Sequence, residues 1–403
     1  MERFDTDILV AGGGAAGLAA TAAFATEGFR VTCVDPVPPA AGIDDPGSDM
    51  RSTAFLMPSV RLLERAGLWA KLVPHAAPLR IMRLADAGGP EPVVRETADF
   101  VADEAGEPAF GYNVPNWLMR REMVASLRGM PRVTLRMGTR VEHLTPRTCE
   151  AVVRLADGTS LRARLVIAAD GRDSAVREMC GISARRWGYG QKAVVFTVAH
   201  SLPHHDVSTE IHRSGGPFTL VPLPDHDGRP HSAVVWMERG PRAVELGNMP
   251  PEAFERELNE RACGVLGPLE LASPRRVWPI ISQVSERLCG PRTALVAEAA
   301  HVIPPIGAQG LNMSLRDIAT LRDLCVAARE AGGDIGNDDL LRRYHWKRHP
   351  DILARIAGVD ALNRAAMEDT QRLRDLRLAG LKALHGVRPA RRLAMSMGLG
   401  AGS

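Results

Sequence analysis

The chain has 403 residues, 45% of them apolar and 24% charged, with a net charge of +3. That length exceeds one core of ordinary size, so two or more lobes are expected, and the composition is that of a soluble globular protein. So small a charge gives no electrostatic case for a nucleic-acid partner, and none is expected. Cys33, Cys149, Cys180, Cys263, Cys289 and Cys325 stand without CxxC spacing, which gives neither a disulfide framework nor a zinc signature and fits a reducing, cytoplasmic compartment.

Ile8 to Thr26 is uncharged and rich in Ala and Gly, like a signal-peptide core. Glu2, Asp5 and Asp7 precede it, where an export signal needs positive charge, and Gly12-Gly13-Gly14 interrupts it. It reads instead as a buried strand, Asp7 to Ala11, a turn, and a helix from Leu18 to Thr26, followed by a second strand, Arg30 to Val34, ending at Asp35. Gly12-Gly13-Gly14-Ala15-Ala16-Gly17 fits GxGxxG in that strand–turn–helix setting. The first glycine permits the tight turn, the second lets the backbone approach a pyrophosphate, and the third lets the helix pack on the strand. Asp35 lies at the distance where a carboxylate accepts from ribose hydroxyls, so the unit is expected to bind a dinucleotide.

Asp49-Met50-Arg51-Ser52-Thr53-Ala54 precedes a helical pattern from Ser59 to Ala66. Arg51 could reach a diphosphate, and a solvated surface arginine fits that stretch equally well. Residues 79–107 read as strand and loop, and Trp117 to Leu127 as a helix carrying Arg120 and Arg121, one of which could face a ligand or sit on an exposed basic turn. Arg132 to Arg140, Ala151 to Leu155 and Leu161 to Arg164 alternate as strands around Asp157-Gly158. Leu165 to Ala169 is a buried strand ending at Asp170-Gly171, a natural ligand edge or a commonplace turn.

From Gly188 to Arg276 short alternating segments are separated by Pro, Gly and Asp, as in a mostly antiparallel sheet inserted into the first lobe. His200, His204, His205 and His212 lack the spacing of a metal set and are read as surface or pocket histidines, and no metal is expected. His345 and His349 are read as part of a solvated helix end before Pro350. Gly290 to Val296 is expected as one strand, leading to Glu298, the Pro304-Pro305 step, Gly307, Ala308 and Gly310, and a helix opening at Leu311 and Asn312. Such a helix N-terminus suits an electron-rich ligand face. Leu340 to Asn363 and Met367 to Leu384 read as helical. Arg372, Arg374, Arg377, Lys382, Arg388, Arg391 and Arg392 face only Asp375, so the tail either meets an anionic membrane or partner groove or packs on the protein itself.

Taken in order, Gly12-x-Gly14-x-x-Gly17 with Asp35, Asp170-Gly171, and Glu298 to Asn312 resemble the single-component FAD-dependent aromatic monooxygenases of the para-hydroxybenzoate hydroxylase class. Trp187-Gly188-Tyr189-Gly190-Gln191 and Asp360-Ala361-Leu362-Asn363-Arg364 resemble the ubiquinone-biosynthesis hydroxylases within it. The resemblance implies an α/β fold: a Rossmann-like FAD-binding domain (1–78, 108–182, 277–340), an inserted antiparallel substrate-binding sheet (79–107, 183–276), and a C-terminal helical region (341–403). It implies that Gly12, Gly14, Ala15, Ala16 and Gly17 hold the FAD pyrophosphate, Asp35 the ribose, Arg51 the diphosphate and Val141 the adenine border. Arg120 stands where a flavin-contacting residue is common, and Asp170 with Gly171 is shared with the nicotinamide. Glu298 would accept from the ribitol, Pro305 and Gly307 would edge the ring, and Gly310, Leu311 and Asn312 would offer N–H groups to its pyrimidine side. Ala297-Glu298 departs from the usual Gly-Asp.

The expected reaction is hydroxylation of a polyprenylated phenol or benzoquinol with NAD(P)H and O2, through a flavin hydroperoxide, on the inner face of the membrane. A polyprenyl reductase, an epoxidase and a non-catalytic subunit of a quinone-biosynthesis complex are the alternatives.

Overall fold

The computed structural model describes residues 4–367, apart from 43, 44, 46, 90 and 214. Thr6–Ala11 lies between Ser160–Ala168 and Val31–Asp35, all parallel, with Ile8 beside Leu165 on one side and Val31 on the other. Thr293–Leu295 and Val133–Met137 extend this sheet outward in parallel. Its strands read as unbroken apolar runs because helices cover its faces, and Ile8, Leu9 and Val10 are fully buried. Helix Ala15–Thr26 is buried continuously from Ala16 to Ala25, against helices Asn116–Arg128 and Gln309–Glu330. The stretch that looks like an export signal is therefore the central helix of the fold.

A larger sheet runs Arg276–Ser285, Ala184–His200, Arg229–Arg239, Pro217–His226 and Val207–His212, antiparallel throughout. Ile81–Asp86 joins Val207–His212 in parallel, and Glu96–Val101 closes that edge, so two segments distant in sequence share one sheet. The expected break at 277 falls inside Arg276–Ser285, whose pairing with Ala184–His200 carries the larger sheet on to Ser285. Phe196, Phe218, Trp236 and Phe254 stack edge to face or tilted beneath it, making a second core. A three-stranded sheet (Ser52–Leu56, Gly111–Pro115, Ala77–Leu79) joins the lobes, and Asn113 Nδ2 donates to Pro222 O at 2.9 Å.

Two expectations are corrected here. Gly290 to Val296 is not one strand: Pro291 cannot donate to a ladder and Arg292 takes φ +56°, so Cys289–Gly290 and Thr293–Leu295 form a hairpin. His345 and His349 do not end a helix. Asp338–Met367 runs through Pro350, held on both sides of it by buried Tyr344, Arg348, Ile352 and Ile356. Tyr344 donates to Leu295 O at 2.8 Å, Leu288 N donates to His345 Nδ1 at 3.3 Å, and His349 Nε2 lies 3.1 Å from Ser285 O. Farther along, Asp360 Oδ1 accepts from Tyr189 (2.6 Å) and Trp187 (3.1 Å), so the two subfamily motifs meet. Arg364 first, then Tyr189, holds the Asp360 carboxyl down at about 2. The helical continuation to Leu384 and the basic tail lie outside the described residues, apart from Met367.

Candidate functional site

The three glycines of the first turn meet three different demands. At Gly12, φ is +105° and a Cβ would lie 2.2 Å from Ala169 O; at Gly17 it would lie 1.8 Å from Gly12 O. At Gly14 it would meet nothing within 4 Å. Gly14 is also the N-cap of helix Ala15–Thr26, and no side chain caps it. The N–H groups of Ala15 and Ala16 thus begin a helix whose positive end opens onto free space, as an anion requires.

Asp35 is tied into this turn. Its Oδ2 accepts from Gly13 N at 2.6 Å and its Oδ1 from Val37 N at 2.8 Å. Arg120 donates from Nε to Gly13 O (2.8 Å), from Nη1 to Pro38 O (3.0 Å), and from Nη2 to Asp35 Oδ1 (2.9 Å) and to Val37 O. Its guanidinium braces the glycine turn against the loop after Asp35, a positioning role that the sequence reading did not assign. Gly138 N donates to Asp35 O at 2.8 Å, which brings the strand beginning at buried Val141 to the same edge.

Asp170 accepts from Ser174 Oγ and from Val176 N (3.1 Å), and so caps the short helix Ala175–Met179. Gly171 takes φ +91°. Beyond it, Arg172 Nε donates to Glu298 Oε2 at 3.2 Å. Buried Arg177 donates to Ala299 O (3.0 Å) and Arg172 O (3.1 Å), while buried Gln283 donates to Arg172 O (3.0 Å) and Glu298 O (3.4 Å). The second and third motifs are therefore knitted into one corner by Arg172 and Arg177, which follow Asp170-Gly171 in the chain, and by Gln283, which carries no motif signal. Glu298 keeps 47% of its side chain exposed, so its carboxylate remains reachable.

The third motif departs from glycine at places where the backbone wants it. Ala297 takes φ +56° and Ala308 φ +54°, the left-handed region that costs an L-residue about 1–2 kcal/mol. Gly307 is left-handed too, and Pro305 is exposed. Helix Gln309–Glu330 starts at Ala308 with no side-chain cap, and a Cβ on Gly310 would meet nothing within 4 Å. Asn312 points its amide elsewhere: Oδ1 accepts from Leu56 N (2.9 Å), and Nδ2 donates to Ala54 O (2.8 Å) and Ala308 O (2.6 Å). That clamp holds the helix start against strand Ser52–Leu56 and leaves the first-turn N–H groups of Gly310 and Leu311 to a ligand. Beneath it, His301 Nε2 lies 2.6 Å from Asp317 Oδ2, and Arg348 Nε donates to Asp317 Oδ1 at 2.7 Å, all three buried.

Arg51 is only partly exposed. It is paired bidentately with Asp49 (2.8 and 2.7 Å) and lies over the Trp278 ring at 4.6 Å. Burial works against its charge; Asp49 outweighs that and Glu298 adds attraction, so its pKa is raised. Asn116 donates to Asp49 Oδ2 (2.9 Å) and accepts from Thr53 Oγ1 (2.7 Å), completing a network that begins at the small sheet.

Of the histidines expected at a surface or pocket, His205 is exposed, buried His200 touches Leu202 O (2.7 Å) and Ser232 Oγ (3.0 Å), His204 touches Leu223 O (3.1 Å), and His212 Nε2 lies 2.7 Å from Glu210. Among the described residues no group of three potential ligands could hold a metal ion, and all six cysteines are free. Burial raises the Cys33 thiol to about 12, which leaves it unreactive beside Gly12.

These residues fit an FAD: an open, uncapped helix start at Gly14, a carboxylate at the end of the second strand, a reachable Glu298, and a second uncapped helix start at Ala308. The FAD-binding-domain family matches residues 5–356. Ubiquinone hydroxylase UbiL of Rhodospirillum rubrum is 36% identical over 98% of this chain and 89% of its own length. The 3-demethoxyubiquinol 3-hydroxylase of Escherichia coli is 30% identical over 99% of this chain and its entire length. Among solved structures, p-nitrophenol 4-monooxygenase PnpA from Pseudomonas putida superposes with a TM-score of 0.79 at 20% identity over the whole of both chains. PqsL from Pseudomonas aeruginosa, a probable FAD-dependent monooxygenase, gives 0.76 at 22% identity, covering 94% of this chain and 99% of its own.

Proposed function

This chain belongs to the FAD-binding-domain family and is an FAD-dependent aromatic hydroxylase, and from that premise we propose that it hydroxylates the ring of a polyprenylated phenol or benzoquinol in ubiquinone biosynthesis. NAD(P)H is the reductant and O2 the oxygen source in this reading. One observation carries it. The match to the Rhodospirillum rubrum hydroxylase spans 98% of this chain, so it takes in the larger sheet, the substrate-binding part in this reading, as well as the flavin cradle.

FAD, when bound, supplies the redox chemistry, accepting hydride from the nicotinamide and activating O2. The chain's own part is to bind, orient and exclude water. The N–H groups that follow Gly14 hold the pyrophosphate, Asp35 receives the ribose hydroxyls, and Glu298 receives the ribitol. The first-turn N–H groups of Gly310 and Leu311 would serve the pyrimidine side of a bound flavin and stabilise negative charge there, with Asn312 holding that helix start in place. Ile306 packs against Ala193, Val195, Met237 and Ile280 of the larger sheet, which anchors the turn carrying Pro305 to that sheet, so the aromatic ring would lie between Pro305 and the sheet. No side chain of the chain is assigned as acid or base.

The basic segment after Met367 belongs to the same reading as a contact with anionic lipid that brings the enzyme to a membrane-held substrate. Among the described residues, no helix is long and apolar enough to cross a membrane. A strain lacking the gene is expected to accumulate one ring-unhydroxylated, prenylated precursor and to recover when the full chain is restored. Unchanged quinone content with no such precursor would remove ubiquinone biosynthesis from the account.

A further inference from the structure

Helices Met57–Arg65, Gln309–Glu330 and Asp338–Met367 flank an open crevice of about 180 Å³ whose arginines no role above uses. Leu56, Leu62, Met313 and Ala319 give it apolar walls, and Arg65, Arg316 and Arg355 line it as well. Gln309, Asn312, Met313, Arg316 and Ala319 fall on one helical face, so the lining follows from 3.6-residue spacing.

The charges do not balance inside the protein. Asp351 is the carboxylate shared here: it accepts from Arg348 Nη1 at 2.7 Å and Arg355 Nε at 3.0 Å, while Arg316 Nη1 stands off at 3.7 Å. Asp317 is committed to His301 and Arg348. Arg65, exposed at the rim, has no carboxylate in salt-bridge range among the described residues. Burial and then the neighbouring Arg355 push the Arg316 pKa down, against the pull of Asp351 and Asp317. Arg355 Nη1 donates to Gln309 Oε1 at 3.2 Å, which fixes one wall.

A neutral ligand would leave Arg65 without a partner and Arg316 with only its 3.7 Å share of Asp351, and a bare inorganic anion would leave the apolar walls unfilled. The volume is below the roughly 300–1,000 Å³ of ordinary cofactor and drug pockets, so a nucleotide is too large. We propose that this crevice binds a small organic anion, a carboxylate or phosphate monoester on a body the size of one ring or a short alkyl chain, with Arg316 and Arg65 as its charge partners. Asn312 lines the crevice and clamps the helix start at Ala308, so occupancy stiffens that start. Only this last consequence rests on the flavin reading.

Isothermal titration of the purified, FAD-loaded full chain tests the site, with benzoate, octanoate, phenyl phosphate, inorganic phosphate and benzyl alcohol as titrants. Benzoate and octanoate, or phenyl phosphate, are expected to saturate one site per chain, and which of the two classes binds identifies the head group. Benzyl alcohol is expected not to bind, and inorganic phosphate to bind at least tenfold more weakly than the organic anion. Arg316→Gln and Arg65→Gln should each weaken the organic anion at least tenfold. Arg65→Gln changes an exposed side chain, so it keeps the test open if Arg316→Gln fails to fold. Binding that neither variant disturbs would place the anion elsewhere, for instance where the aromatic substrate sits, and would overturn the proposal. So would the absence of saturable binding by any organic anion, or equal binding of inorganic phosphate.

Discussion

Two helix starts carry no side-chain cap, at Gly14 and at Ala308, and they are held in opposite ways. At Gly14 the backbone itself is the support: Gly12 and Gly17 sit so close to Ala169 O and Gly12 O that any side chain would collide. At Ala308 the support comes from side chains, with Asn312 clamping Leu56, Ala54 and Ala308, and the His301–Asp317–Arg348 network beneath it. There the left-handed positions Ala297 and Ala308 carry a methyl group that glycine would spare. The same ligand-facing end is thus built once by steric exclusion and once by polar clamps on a mildly strained backbone. The first admits no side chain at Gly12 or Gly17. The second should be sensitive at its clamps and improvable at its alanines.

The largest expected effect is at the second start. Asp317→Ala leaves Arg348 as a buried charge without its main partner and should cost about 3–5 kcal/mol by denaturant unfolding. A loss below about 1 kcal/mol would mean that the clamps do not carry this region. Next come the glycines. Gly17→Ala forces a Cβ to within 1.8 Å of Gly12 O and should cost about 3 kcal/mol. Gly14→Ala meets no protein atom within 4 Å, so stability should stay within about 0.5 kcal/mol of the parent. FAD affinity, measured by flavin fluorescence, should nonetheless fall at least tenfold. Unchanged affinity in Gly14→Ala would separate this turn from the pyrophosphate.

A gain is expected at the strained alanines. Ala297→Gly and Ala308→Gly each remove a left-handed L-residue, and after the entropy that glycine adds to the unfolded chain the net gain should be about 0.5–1 kcal/mol. Destabilisation by both would show that the strain is not there. The smallest effect concerns pH. Burial raises the Asp49 carboxyl, but hydrogen bonds from Arg51 and Asn116 win and its pKa ends below the ordinary aspartate value. The stabilisation from this pair is therefore fully present above pH of about 4 and is lost as pH falls through the depressed folded value. Stability curves of the parent and Asp49→Asn should converge in that acid range and separate above it.

The contrast also explains what the sequence could reveal. Close packing leaves a residue signature, and GxGxxG with Asp35 was legible because only glycine fits two of its positions. The fold class was legible too, since buried parallel strands and alternating antiparallel ones have different apolar texture. Polar clamps leave no such trace. Arg120 could be read as facing a ligand, yet its donors go to Gly13, Val37, Pro38 and Asp35, partners brought near only by folding. Gln283 and Asp317 sit at unremarkable positions in the chain, and each acts across more than ten residues of sequence. Pro350 misled for a related reason: the local rule against proline is overridden by the packing of Tyr344, Arg348 and Ile352. Ala297 was legible as a departure from glycine, and the left-handed backbone there gives that departure its physical meaning.

The central claim is that this chain inserts one atom of dioxygen into a prenylated aromatic ring. It is tested most directly by incubating the purified, FAD-loaded protein with NADH or NADPH, a prenylated phenol and isotopically labelled dioxygen. The account predicts a product that carries one labelled oxygen on the ring for each reductant consumed productively. A reduced or rearranged product with no label, or a protein that takes up no FAD, would contradict it.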